Sequence, residues 1–204
     1  MDPALKIIVQ VECRRYRHIQ STEDSVHTLT IFDFTLPEST EQWRPVDDVV
    51  MGGVSASRME YVPDGHAVFA GTLSRENNGG FASVRCAPGL FELGDFDGIR
   101  LRVRGDGRIY RLRLRMDEGF DGVAYQASFS TEDGTWITVD LPFSAFRPSF
   151  RGRDVPNAPA LRPGSIRQIG LMIADGQEGA FRLEIASIAA TLDSPAIPRV
   201  DGSC

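Results

Sequence analysis

Between residues 28 and 190 the chain alternates apolar and polar positions in short runs, each closed by Gly, Asp, Asn or Pro. A side-chain period of two marks a strand with one buried face, and no long stretch keeps the 3.6-residue period of a helix. The runs fall near 28–34, 57–62, 67–73, 81–86, 98–104, 109–116, 123–130, 135–141, 166–173 and 180–189. Strands of this number and spacing predict an all-β, antiparallel β-sandwich with very little helix. Residues 1–27 fit no strand pattern and are expected to form a flexible or loosely docked extension, 28–190 a single domain, and 191–204 a tail.

One segment carries the pattern most clearly. Ile99, Leu101 and Val103 alternate with Arg100, Arg102 and Arg104; Gly105-Asp106-Gly107 follows; then Tyr110, Leu112, Leu114 and Met116 alternate with Arg111, Arg113 and Arg115. Asp-Gly between alternating runs predicts a tight hairpin with Leu101 opposite Leu112 and Arg102 opposite Arg111. One face of that hairpin is apolar and the other carries six arginines. Like charges facing one another destabilise a sheet, so acidic groups must lie close by. Two readings stay open: carboxylates of the chain itself neutralise the arginines, which is preferred for most of the six, or one or two of them serve a carboxylate-bearing partner.

Composition narrows the function. The net charge is −6, so nothing favours sequence-independent binding to nucleic acid. Cys13, Cys86 and Cys204 are too few and too scattered for a disulfide framework or zinc site, and Cys86 reads as a small core residue. No apolar run is long enough for a membrane span, and the N-terminal residues lack the features of a secretory or transit peptide. The expected location is therefore cytoplasmic. His18, His27 and His66 are poorly placed for a triad or a metal cluster, and His66, beside a Pro63-Asp64-Gly65 turn, reads as a surface residue. Asp47-Asp48 reads as loop capping, since neighbouring carboxylates diverge on an extended chain. Asp117 to Gly122 has oxygens that could meet calcium but lacks EF-hand spacing. No cofactor is implied, and the chain is not expected to be an enzyme.

Three segments combine glycine with polar groups and an aromatic or Met: Trp43 to Ser55, Gly71 to Arg85, and Phe143 to Arg153. Asp48-Val49-Val50-Met51-Gly52-Gly53-Val54-Ser55, then Asn77-Asn78-Gly79-Gly80-Phe81-Ala82-Ser83-Val84-Arg85, and Phe146-Arg147-Pro148-Ser149-Phe150-Arg151-Gly152-Arg153 together resemble the complex I intermediate-associated protein 30 family. The likeness covers residues 32–190. It implies a galactose-binding-like jelly roll, related in shape to carbohydrate-binding modules, and a non-catalytic role in assembling respiratory NADH:ubiquinone oxidoreductase. A protein partner follows, among the subunits of a membrane respiratory complex.

Candidate contact residues come from these loops and the arginine face: Trp43, Asp48, Met51, Gly52, Gly53, Ser55, Asn77, Asn78, Gly79, Gly80, Phe81, Arg85, Arg102, Arg104, Arg113, Tyr125, Arg151 and Arg153. The two Gly-Gly loops are expected to adjoin in space. A carbohydrate-binding module is the second reading, with Trp43, Tyr110, Tyr125 and Trp136 as aromatic platforms and Asn77, Asn78 and Arg85 as polar partners. An enzyme working with carboxylates alone is a distant third.

Overall fold

A computed structural model describes residues 26–193. Thirteen strands and five 3-10 turns occupy them, and among the described residues there is no α-helix. Six strands form the first sheet: β1 (Val26–Asp33), β3 (Ala56–Val62), β4 (His66–Leu73), β6 (Gly98–Arg104), β9 (Trp136–Pro142) and β13 (Gly179–Asp193). Seven form the second: β2 (Trp43–Pro45), β5 (Ala82–Cys86), β7 (Ile109–Arg115), β8 (Ala124–Ser130), β10 (Arg147–Phe150), β11 (Arg153–Asp154) and β12 (Gln168–Ile173). The strand pairs within both sheets are antiparallel. The expected extension and tail lie mostly outside the described residues; strand pairing itself runs from Val26 to Asp193.

The first sheet is built around β13. Its first half pairs with β4 and its second half with β1, while β6 pairs with the middle and end. Because residues 187–191 pair with both β1 and β6, and 184–185 with both β4 and β6, β4 and β1 share one edge of β13 and β6 takes the other. The second sheet runs β11-β10-β8-β7-β12-β5-β2.

The inward faces of the two sheets meet in one core. Leu101 and Val103 of β6 and Leu112 and Leu114 of β7 are fully buried there. Phe69 and Phe181 from the first sheet pack at 5.0 Å, Tyr110 and Phe129 from the second at 6.1 Å, and Phe69 meets Tyr110 at 6.4 Å across the layers. Each such side chain contributes about 1.5–3 kcal/mol by leaving water. Phe32, Phe34 and Trp43 close one end, with Phe32 and Trp43 edge to face at 5.1 Å. Cys86 sits in the same core as expected, and burial pushes its thiol pKa up to about 11.

The predicted hairpin does not form. The alternation is as read, yet β6 pairs with β13 and β9, while β7 pairs with β8 and β12. Residues 105–108 carry the chain from one sheet to the other. Asp106 pins this corner, accepting from the Tyr110 hydroxyl at 2.8 Å and the Arg182 amide at 2.9 Å. Leu101 and Leu112 therefore enter the core from opposite sheets instead of pairing along a ladder, and the six arginines lie on the sides of the two sheets turned away from that core. The short strands β2, β10 and β11 were not legible as strands: they are two to four residues long, and two contain proline.

Candidate functional site

The two Gly-Gly loops do adjoin, and Asp48 is the reason. Its side chain is wholly buried and accepts four hydrogen bonds: from the Ser55 amide at 2.9 Å, the Ser55 hydroxyl at 2.6 Å, the Gly80 amide at 2.7 Å and the Phe81 amide at 3.3 Å. Burial pushes this carboxyl up, but the donors from Ser55, Gly80 and Phe81 outweigh it and hold the pKa below the usual carboxylate value. Glycine is required around it. A Cβ on Gly53 would lie 2.4 Å from the Asp48 carboxyl carbon, and one on Gly79 would lie 2.5 Å from its Oδ2. Asp47 turns the other way, accepting from the Ser57 amide and hydroxyl at 2.8 and 2.6 Å and from the Ser83 amide at 2.9 Å. The two carboxylates thus tie the loop to the start of β3 on one side and to β5 on the other.

A rigid base of this kind presents what it does not bury. Val49, Met51 and Val54, all within the loop from Asp48 to Ser55, are 62%, 55% and 48% exposed. Gly52, at φ +92°, caps the 3-10 turn that carries Val49 and Met51. Asn77, at φ +53°, shapes the facing loop; Asn78 has no described side chain.

The predicted arginines divide between the two faces. On the first sheet Arg100 makes a two-pronged pair with Asp140 at 2.6 and 3.0 Å. Arg104 is paired with Glu184, which also takes Arg182 at 2.9 Å and lies 3.3 Å from His66 Nε2. Arg102 reaches the Thr138 hydroxyl at 3.3 Å, and both Arg102 and Arg104 lie over the Trp136 ring. His66 is therefore a buried partner of Glu184 and Trp136, not the surface residue expected.

On the second sheet one register row runs Arg44, Arg85, Gly170, Arg113, Gln126, Arg147 across six strands. Gly170 leaves a gap between Arg85 and Arg113. The result is a recess of about 30 Å³ lined by Val46, Ser83, Arg85, Arg113, Arg115, Gln168 and Gly170. The loop of residues 117–122 folds against it: the Phe120 carbonyl accepts from Arg85 at 3.1 Å and from Arg115 at 3.0 Å, and Arg115 also meets Asp117 at 2.8 Å. Arg111 is paired with Asp175. Arg113 has no hydrogen-bond or ion-pair partner among the described residues, and its Nε is buried. Burial, together with Arg115, Arg85 and Arg111, brings its pKa down to about 10. The guanidinium still carries its charge at neutral pH.

The other named residues fall elsewhere. Trp43, Tyr110 and Tyr125 are core residues at 3%, 0% and 2% exposure, and the Tyr125 hydroxyl donates to the Pro159 carbonyl at 2.6 Å. Of the four proposed sugar platforms only Trp136 is partly open, beneath its two arginines. Arg151 and Arg153 are exposed beside the turn joining β10 to β11, and Arg151 is paired with Asp121. The acidic loop considered for calcium thus has Asp117 and Asp121 turned towards arginines, and among the described residues no three metal-ligating side chains converge. Neither this recess nor the open depression over β3, β4 and β13 is lined by a carboxylate. Sequence reasoning placed Arg115 on the arginine face but not among the contact residues, and it missed Gln168 and Phe120; their roles depend on a loop folding back over its own strand.

The architecture is that of the jelly-roll β-sandwiches found in carbohydrate-binding modules. A family 11 carbohydrate-binding module from Clostridium thermocellum, solved in complex with a β-1,3-1,4-mixed-linked tetrasaccharide, superposes with a TM-score of 0.62 over 81% of this chain and 96% of its own; at 18% identity the likeness is one of fold. The chain belongs to the Complex I intermediate-associated protein 30 family, whose sequence profile matches residues 32–185. An uncharacterized protein of Schizosaccharomyces pombe is 32% identical over 182 residues, covering 77% of this chain and 82% of that protein. The mitochondrial Complex I intermediate-associated protein 30 of Mus musculus is 30% identical over 183 residues, which is 80% of this chain and 56% of the mouse protein. The chain therefore spans little more than half of the mouse relative. The expectation of a cytoplasmic location is overturned by these relatives: the mouse, Drosophila and Caenorhabditis elegans proteins are all designated mitochondrial.

Proposed function

We propose that this chain is a non-catalytic mitochondrial module that binds a partner polypeptide during assembly of complex I. The observation that carries the reading is the loop from Asp48 to Ser55. It bears a principal motif of the resemblance, it is fixed to the sandwich by a fully bonded carboxylate, and it turns Val49, Met51 and Val54 outward. Exposed apolar side chains on a rigid support are what a partner polypeptide can bury with little loss of chain entropy. Its relatives' association with complex I intermediates supplies the client class.

The test is affinity capture from native mitochondria with the wild-type chain and with Val49→Ser/Met51→Ser. Both side chains lie outside the core, so the double variant should melt as the wild type does. We expect it to lose complex I subunits from the captured set and to fail to restore complex I in a deletion strain. Full restoration of complex I by the variant would overturn the reading. Carbohydrate binding has less support, because three of its four proposed aromatic platforms are core residues.

A further inference from the structure

We propose that Arg113, which lines the recess on the second sheet, receives a carboxylate side chain from an acidic segment of the partner polypeptide. The proposal rests on the assembly reading and names the chemistry of the segment that meets the loop's neighbourhood.

Three features converge on Arg113. Its guanidinium is a charge with no counter-ion among the described residues, and its Nε is shut off from solvent. A buried charge without a partner is costly, and the planar guanidinium fork matches a carboxylate in two parallel hydrogen bonds. Its neighbours are already committed: Arg111 to Asp175, Arg115 to Asp117 and the Phe120 carbonyl, Arg85 to that same carbonyl. They add positive potential without competing for the ligand, and they are fixed before it arrives.

The dimensions select the ligand. A recess of about 30 Å³ has room for two or three waters at about 10–15 Å³ each, hence for a group of a few heavy atoms and not a sugar ring. The source is indicated by what adjoins it. Val46 lines the recess and lies two residues before Asp48, where the apolar loop begins. On another side stands Phe120, 64% exposed, its ring 5.2 Å from the Arg85 guanidinium. A polypeptide seated on Val49 and Met51 can place an Asp or Glu into the recess and an apolar residue against Phe120.

The experiment uses the purified chain and a fluorescent N-acetylated hexaglutamate peptide, with hexaglutamine, acetate and inorganic phosphate as comparison probes. Four proteins are titrated at low salt: wild type, Arg113→Gln, Arg113→Lys and Arg102→Gln, the last altering the opposite face. We expect hexaglutamate to bind the wild type and Arg102→Gln equally, Arg113→Gln at least tenfold more weakly, and Arg113→Lys between them. Without peptide, Arg113→Gln should melt at or above the wild-type temperature, since it removes an uncompensated charge. Equal weakening in Arg113→Gln and Arg102→Gln would mean diffuse attraction and overturn the proposal. So would binding of phosphate or acetate with none of the peptide, which would assign the recess to a free ion, and so would a lowered melting temperature in Arg113→Gln, which would make the arginine architectural. No respiratory subunit takes part, so failure here leaves the capture experiment to judge the assembly reading separately.

Discussion

Asp48 and Arg113 are both charges drawn out of water by the same sandwich, and they are treated in opposite ways. Asp48 is enclosed by four donors, three of them backbone amides, and belongs to the architecture. Arg113 is enclosed by three further arginines and has no acceptor among the described residues. A charge that the fold satisfies holds the fold together. A charge that the fold surrounds and leaves unanswered is available for something else. Within both arginine strands the outer members end on carboxylates, Arg100 and Arg104 of β6 and Arg111 and Arg115 of β7. Of the two central ones, Arg102 reaches the Thr138 hydroxyl and the Trp136 ring, whereas Arg113 has no acceptor among the described residues.

The contrast breaks most readily at Asp48. Asp48→Asn keeps the size but turns an amide donor either towards the Ser55 amide, at the Oδ1 position, or towards the Gly80 and Phe81 amides, at the Oδ2 position. The expected loss is about 2–4 kcal/mol, from buried donors left facing a donor. The melting temperature should then fall on the order of 10 °C in a chain of this size. An unchanged melting temperature would show that the knot is decorative.

The same carboxylate sets an acid limit. Its folded pKa lies below the unfolded value of 3.8, so its contribution is fully present above that value and is lost as the pH falls through the folded pKa. Glu184, whose burial is outweighed by Arg182 and Arg104, adds to the loss in the same direction from its ordinary 4.5. Urea denaturation at stepped pH should show stability flat near neutrality and falling below about pH 4.5, with a shallower fall in Asp48→Asn.

Gly53→Ala tests the crowding around the anion without touching the charge. The new methyl must displace the Asp48 carboxyl group, at a cost of about 1–3 kcal/mol read from the urea midpoint. Smaller still is Arg104→Gln, which leaves Glu184 with Arg182 and His66 and should cost about 1 kcal/mol. The sign matters more than the size here, because Arg113→Gln is expected to move stability the other way. Two arginine-to-glutamine changes of the same sign would erase the distinction between the faces.

Much of this was legible in the sequence. Ten strand segments are observed close to where alternation places them, because a period of two with one buried face needs only local information. The divergence of Asp47 and Asp48, and the meeting of the two glycine loops, follow from extended backbone geometry and from the need of glycine-rich loops for a partner. Pairing was another matter. Alternation fixes which side chains face the core, but Ile99 to Val103 and Tyr110 to Leu114 satisfy the same core equally well from opposite sheets. The Gly105-Asp106-Gly107 turn chemistry does not distinguish a hairpin from a corner. Nor could the solitary state of Arg113 be read, since Asp175, which answers Arg111, lies 64 positions further along the chain.

The central position of β13 bears on how the molecule comes into being. Strands β1, β4 and β6, whose residues run from 26 to 104, are all held by a strand that begins at Gly179. On a ribosome, or while threading through a translocation pore with its N-terminal end leading, the chain carries β1, β4 and β6 without their common neighbour until nearly all of the described sequence has passed. The first sheet can close only then, and contacts of such long sequence separation place its folding at the slow, millisecond-to-second end of the range for single domains. Until that moment the edges of β4 and β6 that β13 will cover are open to other chains, so the interval before residue 179 emerges is when the protein itself most needs a chaperone.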